Sequence, residues 1–267
     1  MNEENYSLEA VENDDTRVEE YEELLLKRDQ IFRESGSILT AYTKEFGDMI
    51  MANFELKVEC IKKKKIISYC RRRINRGLPI EIDRMQGEID KEMKLYYTQL
   101  KEMAEDNNRA KKAEMISRFY LDRAKKIYRR LTKILHPDIN IKTTEDETLR
   151  ELWEQIYEAY QRTDVDALED LEVLVRKALD DLGDESFELN LIDIEERIER
   201  VENQINDMIT SEPYIYKELI EDDEKKKAYK EQLQAEHDDY EEYLVNLSQA
   251  IDDMLREGGV SLVWQMN

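Results

Sequence analysis

Residues 118–162 read RFYLDRAKKIYRRLTKILHPDINIKTTEDETLRELWEQIYEAYQR, and this stretch decides how the rest of the chain is interpreted. It begins with a Lys/Arg-rich segment, continues through His136-Pro137-Asp138 and a polar loop, and ends in a segment with an aromatic face. The apolar residues of both segments recur at the three- and four-residue steps of an α-helix. Proline disfavours helical backbone in the residue before it, so the first helix is expected to stop at the motif. The stretch therefore predicts two antiparallel helices joined by a fixed turn, which is a helical hairpin.

The composition of the whole chain is typical of long helices. Charged residues make up 39% of the sequence, and only seven Gly and three Pro interrupt it. Such a profile belongs to extended helices and coiled coils, and 40% hydrophobic residues at periodic positions argue against disorder for most of the length. We therefore expect an all-α fold in which elongated, antiparallel helical or coiled-coil arms carry the hairpin.

Stop signals and changes in charge suggest how the chain is divided. Gly77 followed by Pro79 is a helix stop, and Gly183 is another, since glycine is favoured just past a helix end. The predicted segments are a disordered acidic N-terminus (1–16), a long helical hairpin with a turn near 76–80 (17–108), the helical region around the motif (109–183), an acidic helical hairpin (184–257) and a C-terminal tail (258–267).

Local signals predict where some helices begin and break. An apolar stripe is expected on the first helix, formed by Val18, Tyr21, Leu25 and Phe32. The Ser35-Gly36-Ser37 sequence predicts a short break in it. Thr144 with Glu147 is a candidate capping box for the helix after the motif, and Asp164 is a candidate N-cap for the next one.

Charge is distributed in blocks, although the net charge of the chain is −23. Residues 57–76 and 109–133 each carry a net charge of +8, whereas residues 180–267 carry −18. Blocks of opposite sign can attract each other within the protein or act as docking faces for a partner. An acidic chain of this kind is a poor general nucleic-acid binder, although a local basic stripe could contact phosphate.

The sequence offers little for catalysis. It has no Gly-rich phosphate loop, no His/Cys spacing suited to a metal and no nucleophile beside a base, so we predict neither an enzyme nor a cofactor or metal site. No apolar run approaches the roughly 18 residues that span a bilayer, and the acidic N-terminus does not read as a signal peptide. Cys60 and Cys70 are about 15 Å apart along a helix and cannot form a disulfide within it. The sequence therefore predicts a soluble, cytoplasmic protein with reduced cysteines.

The motif and its flanks resemble the J-domain of the DnaJ family, the co-chaperones of DnaK-type heat-shock chaperones. Residues 127–140, IYRRLTKILHPDIN, match the second helix and motif of that family, and Tyr157-Glu158-Ala159-Tyr160 matches its third helix. The resemblance covers about residues 120–162. Leu135 and Ile139 replace the aromatic residue and the lysine that usually flank the motif. The chain shows no counterpart of the family's first helix, Gly/Phe-rich linker or zinc repeats.

The resemblance implies a function for the hairpin. His136, Pro137 and Asp138 would trigger ATP hydrolysis by the chaperone partner, with Pro137 fixing the backbone and Asp138 offering a carboxylate for an arginine. The basic helix would steer the encounter with an acidic surface of the partner through long-range charge. The residues that would dock there are Lys125, Tyr128, Arg129, Arg130 and Lys133. The helical arms would bind a client protein, a second partner or another copy of the chain.

Two other interpretations remain open at this stage. The chain could be a structural coiled-coil scaffold, in which the motif is only a bend and His136 is a helix C-cap near the negative end of the helix dipole. It could also be a nucleic-acid-associated protein that uses residues 57–76. His237, the other histidine, is expected to be a packing or register residue on its helix.

Overall fold

In a computed structural model the described residues are 3–113, 116–183 and 193–257, with side chains from residue 16 onward. All regular elements within these ranges are helices, which confirms the predicted all-α class. They are α1 (Glu3–Ile74), α2 (Ile82–Lys112), α3 (Arg118–Leu135), α4 (Lys142–Glu145), α5 (Glu147–Gln161), α6 (Val165–Leu182), α7 (Ile194–Thr210), α8 (Tyr216–Glu221) and α9 (Asp223–Glu257). Within the described ranges, none of these helices combines the length and the apolar character that crossing a bilayer requires.

The chain forms two compact units, each built from segments that are distant in the sequence. Unit 1 comprises residues 1–37 and 114–215, and unit 2 comprises residues 38–113 and 216–267. The first part of α1 thus belongs to unit 1 and the remainder to unit 2, whereas α7 and α9 fall in different units. The units differ from the consecutive segments expected from the sequence. α1 begins inside the expected N-terminal segment, and the expected tail 258–267 lies outside the described residues.

The main core of unit 1 is formed by α3, α5 and α6. Its buried side chains all come from these helices, and among the described hydrophobic side chains of α1 only Leu26 packs against it, partly buried. The central members are Ala124, Ile127, Tyr128, Leu131 and Leu135 from α3, Leu149, Leu152, Trp153, Ile156, Ala159 and Tyr160 from α5, and Val165, Leu168, Leu171 and Val175 from α6. The hairpin around the motif is therefore braced by the helix that follows it.

A second, smaller core of unit 1 joins α1 to α7. It contains Tyr21, Leu25 and Ile31 of α1, Ile198, Val201 and Ile205 of α7, and Ile139 from the loop after the motif. Phe32 is 51% exposed, so the predicted stripe is wrong at that position and Ile31 is the buried residue. Residues 31 and 32 lie about 100° apart on a helix, so only one of them can face α7.

Unit 2 is built on the remainder of α1, together with α2 and α9. Its hydrophobic core contains Val58, Ile66, Tyr69 and Cys70 of α1, Met85, Ile89 and Met93 of α2, Ile251 and Leu255 of α9, and Ile80 from the loop before α2. The loop from 75 to 81 contains Gly77 with a φ of +65°, a conformation that glycine adopts without steric cost. The helix stop expected from Gly77 and Pro79 lies in this loop.

Three local expectations have different outcomes. The break predicted at Ser35-Gly36-Ser37 is wrong, because α1 runs through it and the Ser35 hydroxyl donates to the Ile31 carbonyl at 2.9 Å. The Thr144 cap is also wrong, because Asp146 caps α5 by accepting from the Leu149 N–H at 2.9 Å. The Asp164 cap of α6 is confirmed, since its carboxylate accepts from the Ala167 N–H at 3.0 Å.

Gly47 allows a close approach between α1 and α2 in unit 2, which gives a first prediction. A Cβ at Gly47 would lie 2.8 Å from Oδ1 of Asn107, a buried residue whose Nδ2 donates to Asp48 at 2.6 Å. We expect Gly47→Ala to lower the free energy of unfolding by about 1–3 kcal/mol, a typical cost of overpacking. Chemical denaturation followed by far-ultraviolet circular dichroism measures the change.

Gly36→Ala is the matched control for that variant. A Cβ at Gly36 meets nothing within 4 Å, so the added methyl group should stabilise α1 by about 0.5–1 kcal/mol through lower backbone entropy in the unfolded chain. If both substitutions stabilise the protein, the close contact between Gly47 and Asn107 is not part of the folded structure.

Candidate functional site

The turn that carries the motif is closed by hydrogen bonds. α3 ends at Leu135, and His136 has an extended ψ of 125°, as the residue before Pro137 requires. The His136 carbonyl accepts from the N–H groups of Ile139 and Asn140, both at 2.9 Å. The Asn140 side-chain amide in turn donates to the carbonyl of Ile134, at 2.9 Å. The backbone of the motif is thus held in one conformation at the end of the basic helix.

The His136 side chain is enclosed. It is 4% exposed, and its ring meets the Trp153 ring edge-on with centroids 4.8 Å apart. The Asp138 N–H donates to His136 Nδ1 at 3.1 Å, so the neutral ring carries its proton on Nε2. Burial lowers the pKa of His136 from its ordinary 6.5 to about 4, and the nearby carboxylates of Asp138 and Asp29 offset only part of that effect. His136 is therefore neutral at physiological pH.

Stacked aromatic rings brace the hairpin beneath the motif. The Tyr128 and Tyr160 rings are parallel within 4°, with centroids 3.9 Å apart, and Tyr128 also stacks on Trp153 at 5.7 Å. The hydroxyl of Tyr128 donates to Oδ2 of Asp29 at 2.7 Å. Tyr128 is 1% exposed, and burial together with the Asp29 carboxylate raises its pKa. This residue, expected to dock on a partner, has its side chain in the core.

The basic residues expected to dock are all exposed on α3, but most of them have partners within unit 1. Lys133 pairs with Glu22 at 2.6 Å, and Arg129 pairs with Glu23. Arg130 makes a bidentate pair with Glu172 of α6, at 2.8 and 2.9 Å. Lys125 lines a cleft of about 410 Å³ that also contacts α1 residues, among them Glu20 and Glu23.

Four residues that contact the motif or act on it electrostatically were not identified from the sequence as parts of the site. Arg28 and Asp29 of α1 form a pair at 2.8 Å next to His136, and Asp29 is 1% exposed. Arg197 of α7 donates to the Asp138 carbonyl at 3.0 Å. Tyr21 lies near the Asp138 carboxylate, and burial, followed by that charge, raises its pKa to about 12. The available signal was Asp29 itself, a charge at the position where the apolar stripe of α1 should continue.

In the described ranges, the other residues that the sequence suggested as candidates do not form a site comparable to that around His136. No group of His, Cys, Asp and Glu side chains there could hold a metal ion, and Cys60 and Cys70 are free and buried. In the basic stretch 57–76, Lys65 pairs with Glu92 and Arg73 with Glu81. The Nδ1 atom of His237 lies 3.0 Å from Oδ1 of Asn53, which fits the expected register role.

The candidate site is thus the tip of the α3–α5 hairpin together with the exposed basic face of α3. Its parts are brought together by the main core of unit 1 and by contacts with α1 and α7. No family model matches the chain, and comparisons with curated proteins and with solved structures also gave no match.

Proposed function

We propose that the chain is a J-domain-like co-chaperone or adaptor. It engages a DnaK-type heat-shock chaperone through the His136-Pro137-Asp138 loop and stimulates the ATPase of that chaperone. The docking surface is the basic face of α3, to which Lys125, Arg129, Arg130 and Lys133 contribute. Catalysis takes place in the partner, so this chain is not itself an enzyme.

The observation that supports this proposal is the fixed turn at the end of α3. The His136 carbonyl closes it by accepting from Ile139 and Asn140, so the loop is held in one shape before any partner binds. The exposed cations of α3 lead directly into this turn, and the aromatic residues of α5 pack behind it. A preformed loop beside a positive face suits a rapid encounter with an acidic surface.

The same proposal assigns roles to the rest of the chain. The helices of unit 2 would bind a client protein, a second partner or another copy of the chain. Residues Cys60 and Cys70 are both free, which is compatible with a reducing compartment, so we assign the activity to the cytoplasm.

A second candidate function is that of a structural scaffold or interaction protein without chaperone activity. The observation that favours it is the burial of the motif histidine, which is 4% exposed and packs on Trp153. In this interpretation His136-Pro137-Asp138 is a turn that only helps to pack the helices of unit 1. Nucleic-acid binding through residues 57–76 is the weakest candidate, because several cations there already pair with carboxylates of unit 2.

The two candidates predict different results in an ATPase assay. If the chain is a co-chaperone, it raises the ATP turnover of a DnaK-type chaperone, and His136→Gln returns turnover to the basal rate of that chaperone. Glutamine keeps a similar size and polarity but lacks the imidazole ring. The measurement is the steady-state release of phosphate with increasing amounts of the chain.

His237→Gln is the matched control, because it makes the same substitution in unit 2, where the amide of glutamine can still hydrogen bond to Asn53. It should leave the stimulation unchanged. Circular dichroism and, in a Trp264→Phe background, the fluorescence of Trp153 test whether both variants are folded. If neither the intact chain nor a variant that lacks the contacts of Glu22, Glu23 and Arg197 with the hairpin raises turnover with any DnaK-type partner, the co-chaperone proposal fails and the scaffold remains.

A further inference from the structure

Resting on the proposed function, we propose that residues 17–33 of α1 together with α7 form an intramolecular cover over the chaperone-binding face. The partner must displace this cover before the motif can act. The cover thus keeps the chain in a low-activity state until a partner or another signal opens it.

The charges of the cover match those expected of the partner. Three carboxyl groups of α1 each contact a residue that the resemblance assigns to docking, namely Glu22 to Lys133, Glu23 to Arg129 and Asp29 to Tyr128. An acidic partner surface would need the same residues of α3. Since one side chain cannot satisfy both surfaces, the cover and the partner compete for the basic face of α3.

The tip of the hairpin is held by the same cover. Arg197 of α7 donates to the Asp138 carbonyl at 3.0 Å, and Ile139 is 2% exposed in the core between α1 and α7. The charges of Arg28 and Asp29 of α1 also act on His136. Ile139 stands where the related family usually has a lysine, and a lysine could not be buried among the apolar residues of that core without a partner.

The packing of unit 1 allows the cover to separate from the hairpin. The core of the hairpin consists of α3, α5 and α6, and Leu26 is the partly buried residue that the described part of α1 adds to it. The cover has its own apolar core between α1 and α7, to which the hairpin contributes Ile139. The two cores therefore share few side chains, and opening the cover leaves most of each core in place.

Some of the polar contacts between the cover and the hairpin are weak enough to break when a partner binds. In the pair between Arg129 and Glu23 both side chains are about half exposed, so water and salt screen it. The cleft of about 410 Å³ beside Lys125 shows that α1 does not pack closely along the whole basic face. The buried contact of Tyr128 with Asp29 is the strongest polar link of the cover to α3.

The test uses the full chain with Glu22→Gln, Glu23→Gln and Arg197→Ala combined. This loosened variant removes three polar links between the cover and the hairpin, keeps the buried contact of Asp29 with Tyr128, and leaves every residue assigned to docking in place. The control combines Glu169→Gln, Glu199→Gln and Arg200→Ala, which makes the same charge changes and breaks the pair between Arg123 and Glu169 on the α6 side of the hairpin.

Two measurements are made on each variant. The first is carbethoxylation of histidine at neutral pH, read by mass spectrometry as the rate at His136 relative to that at His237, the other histidine of the chain. The second is the ATP turnover of a DnaK-type chaperone. We expect the loosened variant to react severalfold faster at His136 and to stimulate turnover more than the intact chain, whereas the control variant behaves like the intact chain.

Every other outcome contradicts either the proposed cover or the proposed function. If the reactivity of His136 does not change, or if the intact chain already stimulates turnover as strongly as the loosened variant, the cover does not inhibit and the co-chaperone proposal can still stand. If His136 becomes reactive but turnover never rises, the proposed function is wrong and the cover has no regulatory role. If the loosened variant, made in a Trp264→Phe background, loses the native fluorescence of Trp153, α1 belongs to the hairpin core and the proposal is wrong.

Discussion

Ile156→Ala is expected to lower the free energy of unfolding of unit 1 by about 2–5 kcal/mol, the usual range for an isoleucine truncated in a close-packed core. Ile156 lies on α5 and is 0% exposed within the core that α3, α5 and α6 share. Alanine removes the buried methyl and methylene groups and leaves a cavity, so both the transfer free energy and the packing contacts are lost. A loss of this size is a large share of the stability of an ordinary domain.

Chemical denaturation followed by the fluorescence of Trp153, which belongs to the same core, measures this change. The chain has two tryptophans, so the experiment uses a Trp264→Phe background in which Trp153 alone reports. Val173→Ala is the matched control, because Val173 lies on α6 and is 66% exposed. It should change the unfolding free energy by no more than about 0.5 kcal/mol. Equal losses in the two variants would mean that α5 does not face this core.

Acidification is expected to destabilise unit 1 through His136. The pKa of this residue is about 4 in the folded chain against an ordinary 6.5, because its ring is buried. Between these values the unfolded chain binds a proton at His136 that the folded chain does not bind, so stability falls as the pH falls through this window. The difference corresponds to about 3 kcal/mol at pH values below both pKa values.

The contribution of His136 is isolated by comparing the intact chain with His136→Gln at a series of pH values. Groups that do not interact with His136, for example Glu172, whose pKa is lowered by its hydrogen bond with Arg130, affect both proteins alike. The stability advantage of the intact chain should therefore be greatest near neutral pH and shrink as the pH falls towards about 4. Parallel pH profiles would show that His136 is not buried as a neutral ring.

The sequence predicted the position of the candidate site but not its surroundings. It placed His136 at the end of a basic helix and before an aromatic one, because the proline and the helical periodicity are local signals. It did not predict that Tyr128 and His136 would be buried, or that Glu22 and Asp29 of α1 would contact the same hairpin. These contacts join residues about a hundred positions apart, and a helical stripe does not specify its partner.

A charged residue on an apolar stripe was the one sequence signal that could have revealed this contact. Asp29 occupies a buried position on α1, where an unpaired carboxylate would be costly, and it is stabilised by Arg28 and by the Tyr128 hydroxyl. The sequence shows Arg28 as a neighbour, but Tyr128 becomes a partner only when α1 and α3 come together.

By itself the sequence determined the helical class, the end of α3 before Pro137, the loop around Gly77 and the cap at Asp164, because each depends on backbone sterics or on hydrogen bonds between near neighbours. Only the tertiary structure decided that α1 is divided between two units, that α7 and α9 belong to different units, and that His136 is buried. The physical reason is that several helices present similar apolar stripes. Which stripes pack together depends on the fit of all their side chains at once, and periodicity along the chain does not contain that information.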